Sequence, residues 1–118
     1  MYRSKSKKRL SHPKIERFLR QYLPVIRELY APEQVWLFGS FAHGRPDPWS
    51  DVDLMIVSRR FARGKRLHRR SSFLDHTCIR RDEKFVVDPL CYTPQEFERG
   101  VEMPCITAEV VETGIRLI

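Results

Sequence analysis

The sequence predicts an α/β (α+β) domain, a small mixed β-sheet of three or more strands flanked by helices. Three observations carry that expectation. Apolar residues from Pro13 to Tyr30 recur at helical spacing, whereas Val35–Phe38, Val52–Val57 and Phe85–Thr93 are short apolar runs of strand length. At 118 residues the chain can bury one modest core but not two. We therefore divide it into a basic flexible arm, residues 1–11, and a single domain, residues 12–118.

The arm carries Arg3, Lys5, Lys7, Lys8 and Arg9 with almost no apolar content, so it reads as a mobile segment, either a solubilising tail or a nucleic-acid contact. In the first helix Ile15, Phe18, Leu19, Tyr22, Leu23, Ile26, Leu29 and Tyr30 form the apolar stripe. Ser11 or His12 can cap it with Pro13 in the first turn, and Pro24 removes an interior hydrogen bond, which predicts a kink or a division. Ala31-Pro32-Glu33 turns the chain into the first strand.

That strand ends at Gly39-Ser40, and Phe41–His43 can form one helical turn stopped by Gly44. Gly39 allows backbone to approach a ligand closely, and Ser40 as N-cap, together with the first N–H groups of the turn, makes a small anion site. The prolines of Arg45–Ser50 predict a fixed loop in which Trp49 is a stacking residue or a packing lid.

In the second strand Asp51 and Asp53 alternate with Val52, Leu54 and Ile56, so both carboxylates project from one face with Cα atoms about 6 to 7 Å apart. Two acids that close repel unless a cation compensates them, and hard oxygen donors without a Cys or His cluster favour Mg²⁺ over Zn²⁺.

Seven Arg or Lys follow between Arg59 and Arg70. If Gly64 does not break the turn, Arg59, Arg63, Arg66 and Arg70 line one face of a helix reaching about Ile79, with Leu67, Leu74 and Cys78 on the buried side. Such a face is either a docking surface for an acidic partner or RNA, or simply solvated. His68 and His76 read as surface residues. In the third strand Asp88 shares a face with Val86, Leu90 and Tyr92, and Pro89 puts the strand at a sheet edge or ends its pairing there. Thr93-Pro94-Gln95-Glu96 is a capping-box start for a helix ending at Gly100. Pro104 opens a last helix, which Gly114 stops before the apolar tail Ile115–Ile118.

The net charge of +7 and pI near 9.7 invite a polyanionic partner. Cys78, Cys91 and Cys105 lie far apart without a CxxC pair, which argues against a zinc site and a disulfide framework. No apolar run approaches a membrane span, and a cytoplasmic location is expected.

Gly39-Ser40, ten residues, then Asp51-Val52-Asp53 resembles the signature of the DNA polymerase β-like nucleotidyltransferases, and the short chain is similar to their minimal nucleotidyltransferase family from about Ile15 onward. The resemblance implies a polymerase β-like palm in which Asp51, Asp53 and Asp88 hold two Mg²⁺ ions. It implies ATP or another NTP as substrate, with Gly39, Ser40 and His43 at the phosphates. Where this chain has His43, the family usually has Arg. By the same resemblance the acceptor of the nucleoside monophosphate is a hydroxyl on a HEPN-type partner protein, in a toxin–antitoxin couple. The alternative is a non-catalytic module that masks a partner or grips RNA through Arg59, Arg63, Arg66 and Arg70.

Overall fold

A computed structural model describes residues 12–43, 51–101 and 106–118. The basic arm with Ser11, the loop from Gly44 to Ser50 with Trp49, and the Pro104 and Cys105 positions lie outside the described residues. The elements are α1 (Pro13–Tyr30), β1 (Gln34–Phe38), β2 (Val52–Val57), α2 (Arg69–His76), β3 (Val87–Tyr92), α3 (Pro94–Val101), α4 (Ile106–Thr113) and β4 (Ile115–Arg116). Short 3₁₀ turns lie between several of them.

The four strands form one mixed sheet in the order β3-β2-β1-β4, antiparallel except for the parallel β2–β3 pair. That parallel pair requires a crossover, which α2 and its flanking turns supply. As Pro89 predicts, β3 is an edge strand. The tail after Gly114 is more than apolar filling: Ile115 and Arg116 pair with Leu37 and Trp36 as the fourth strand.

Strand alternation divides the core between the two sheet faces. On one, Val35, Leu37, Val52, Leu54 and Ile56 pack with the α1 stripe of Ile15, Phe18, Tyr22, Ile26 and Tyr30, together with Phe61, Phe73 and Ile79. On the other, Trp36, Met55 and Val57 meet Phe97 of α3 and Val110 of α4. The central strand β2 is thus apolar on both faces beyond Asp53.

The helix α1 runs unbroken through Pro24, contrary to the expected division. Pro24 is exposed, and the buried anchors Tyr22 and Ile26 on either side of it hold the helix on the sheet. His12 caps the helix, its Nδ1 accepting from Lys14 N–H at 3.2 Å. The Tyr22 hydroxyl donates to Asp82 and ties α1 to the turn before β3. At α3 the capping box forms: Glu96 Oε1 accepts from Thr93 N–H at 2.8 Å, and Thr93 Oγ1 accepts from Glu96 N–H at 3.3 Å. Among the described residues no helix is long and apolar enough to cross a membrane.

Candidate active site

The parallel register of β2 and β3 sets Asp53 directly opposite Asp88. Asp51 precedes the strand by one residue and, by alternation, shares their face. Farther along that face, Met55, Val57, Leu90 and Tyr92 lie under α3 and α4. The carboxylates occupy its uncovered end: Asp51 is exposed, and Asp53 and Asp88 are half-buried. The face of Asp88 is therefore only partly buried, with Val87, Pro89 and Cys91 turned to the core instead and Val86 outside the strand and exposed.

Gly39 completes this end. Its neighbour Phe38 pairs with Asp53, and Gly39 itself has φ of +72°, a left-handed conformation that L side chains rarely adopt. A Cβ on Gly39 would lie 2.1 Å from Asp53 Oδ2. The missing side chain is the notch that receives the carboxylate.

Burial, followed by the negative charges of Asp88 and Asp51, pushes the Asp53 carboxyl up from 3.8 to about 6. Among the described residues no donor or cation reaches it. Asp88 is turned to the Arg70 guanidinium, which arrives from α2 and forms an ion pair with it. Accordingly, no group of three potential ligands among the described residues is gathered into a ready-made cation cage. The donor chemistry nevertheless fits a divalent cation, because three adjacent carboxyl groups share one open face and their mutual repulsion is what such an ion relieves.

The Gly39–Phe41 turn is a 3₁₀ helix, two residues earlier than expected. Its N-cap position is Phe38, without a side-chain cap, so Ser40 is an exposed residue within the turn rather than its N-cap. The N–H groups at the start of such a turn lack partners within it. His43 is exposed, and its N–H donates to Gly39 O at 3.1 Å. Phe41 is buried, with the His12 ring 5.3 Å away and edge-on.

The basic segment differs most from expectation. Gly64 adopts φ of +74° and breaks it into the turns Arg59–Ala62 and Arg66–His68 before α2 begins. Leu67 is 86% exposed and Cys78 is exposed as well; the buried residues are Phe61, Phe73, Thr77 and Ile79, while Leu74 is half-buried against the core. The four arginines therefore line no common helix face. Arg59 pairs with Glu33 at 3.0 Å, Arg66 with Glu96 at 3.8 Å and Arg70 with Asp88.

Two arginines had roles the sequence did not reveal. Arg69 is 10% exposed and joins three elements: it donates to Phe61 O at 2.9 Å, to Cys91 O at 3.4 Å and to Glu96 Oε1 at 2.6 Å. Nothing in a run of arginines distinguishes this one. Arg70 counters the third carboxylate, a role that only the α2–β3 packing discloses.

A family model described as the nucleotidyltransferase domain matches residues 19–112, which include Gly39, Ser40 and all three aspartates. Among solved structures, the chain is similar to a crystal structure from Sulfolobus solfataricus described as a nucleotidyltransferase, with 20% identity, 75% of this chain and 81% of that chain covered, and a TM-score of 0.49. None of the curated proteins compared with the chain matches it.

Proposed function

The chain belongs to the nucleotidyltransferase domain family, and on that premise we propose that it transfers a nucleoside monophosphate, most simply AMP from ATP, to a hydroxyl presented by a separate molecule. The observation that carries this reading is the register of Asp53 against Asp88 beside the Gly39 notch. Asp51, Asp53 and Asp88 would hold divalent metal, two Mg²⁺ ions by the oxygen donor set, whose chemistry is to neutralise the triphosphate and acidify the acceptor. The Gly39–Phe41 turn, with the Ser40 hydroxyl and His43 nearby, is suited to bind the β and γ phosphates. The acceptor oxygen attacks the α-phosphorus, the bond to the bridging oxygen breaks, pyrophosphate leaves, and Asp88 takes the acceptor proton. In the resting chain Arg70 neutralises that same carboxylate.

Free nucleoside triphosphate implies the cytoplasm. The resemblance favours a HEPN-type partner in a toxin–antitoxin couple as the acceptor, and a domain of this size depends on a partner to present one. Mass spectrometry of the partner co-purified with the chain should find added AMP units, absent when Asp53→Asn replaces the wild type. An unmodified partner after incubation with ATP and Mg²⁺ would remove the protein-acceptor reading. A second reading, a nucleic-acid end as acceptor, is favoured by a basic groove on α1 whose Lys14 end nears the Gly39–Phe41 turn.

A further inference from the structure

The outer face of α1 carries Lys14, Arg17, Arg20 and Gln21, and with Lys84 and Phe85 these residues line an open groove of about 550 Å³. No carboxylate is among the described lining residues. Among the described residues Lys14, Arg17 and Arg20 form no ion pair, whereas Arg59, Arg66, Arg69, Arg70 and Arg80 all do. Lys84 has Asp82 as a charge neighbour just outside the groove. The floor is fixed, since Phe85 is buried against Phe18, with ring centroids 5.2 Å apart.

At its Lys14 end the groove nears the Gly39–Phe41 turn. Lys14 Nζ lies 5.9 Å from the centre of the Phe41 ring, in the turn that carries Ser40. From Phe85 the chain passes Val86, whose carbonyl accepts from Val52 N–H next to Asp51, and reaches Asp88. We propose that this groove binds the phosphate backbone of a single-stranded nucleic acid. Three cations, unpaired among the described residues and spread over roughly 9 Å of helix, suit successive phosphates, and arginine's fork matches phosphate oxygens two at a time. That the strand's terminal hydroxyl then serves as the acceptor rests on the transferase reading above; the binding itself does not.

The test uses the full chain and a labelled single-stranded RNA of about ten nucleotides, with anisotropy read across a salt series. Wild type should bind with affinity that falls steeply as salt rises. Arg17→Glu with Arg20→Glu should weaken binding by roughly ten- to thirtyfold near 0.1 M salt and lower the log–log salt slope by about 1.4, the loss of two single-strand phosphate contacts. Arg17→Gln with Arg20→Gln should weaken it less, guarding against a folding defect from the reversed charges. Arg59→Glu with Arg63→Glu, outside the groove, should remain within about twofold of wild type after allowance for net charge. Equal losses in the two glutamate pairs, no binding by wild type at low salt, or displacement of the RNA by polyglutamate of matched charge would each overturn the proposal, the last in favour of an acidic protein. Adding labelled ATP and Mg²⁺ separates the two inferences: binding without extension of the strand leaves the groove standing and removes the strand end as acceptor.

Discussion

Asp53 meets the strongest conflict in the molecule, since its carboxylate is half-buried beside two others and lies in a notch that only glycine leaves open. Asp53→Asn preserves the shape and removes the charge, so transfer should fall by orders of magnitude while the fold persists. Because the folded chain holds this proton more tightly than the unfolded chain does, the group favours the fold at low pH, and that contribution is lost as the pH climbs from the usual 3.8 through about 6. The melting temperature of the metal-free variant should therefore exceed that of wild type by more at pH 7 than at pH 4.5. A gap that narrows on going to pH 7 would contradict the electrostatic account. Gly39→Ala tests the notch from the other side: positive φ and a 2.1 Å approach to Asp53 Oδ2 should together cost about 1 to 3 kcal/mol in urea unfolding. A loss below about 0.5 kcal/mol would show that the carboxylate moves aside freely.

The elements were legible wherever local pattern decides them. The α1 stripe, the alternation of β2 and the capping box of α3 each depend on neighbours within a few residues, and each formed as read, except that Leu29 of the stripe is exposed at the end of α1. Pro24 does not divide α1, because tertiary anchors outweigh one lost hydrogen bond. The basic segment misled because Gly64 decides between a continuous helix and broken turns, and helical spacing cannot report which residues a distant element will recruit. The site was partly legible in the same way: Asp51 and Asp53 share a face by alternation alone, whereas the pairing of Asp53 with Asp88 is a long-range register. Arg69 makes the cost of this blindness measurable. Arg69→Met should destabilise the protein by roughly 2 to 4 kcal/mol, because Glu96 and two carbonyls lose a largely buried partner. A double-mutant cycle with Glu96→Gln should give a coupling of about 1 kcal/mol or more, and additive losses would mean that the pair is held for other reasons.

For the molecule as a whole, an excess of seven positive charges is less informative than where they remain unpaired. Around α2 and its turns the arginines are largely taken up by Glu33, Glu96, Asp88 and Asp75, while the α1 groove keeps its cations open. The same arrangement bears on the free edge of the sheet. Val86 and Tyr92 direct their carbonyls to Val52 and Ser58 of the neighbouring chain segment, so by alternation Val87, Pro89 and Cys91 direct their backbone groups outward. The middle outward position is a proline without an N–H, and Arg69 already occupies the Cys91 carbonyl. An incoming strand from another copy would thus find a template interrupted in donors and blocked at an acceptor, which protects the edge of a mixed sheet whose β2–β3 pair forms across a long crossover from growing into fibrils at high concentration.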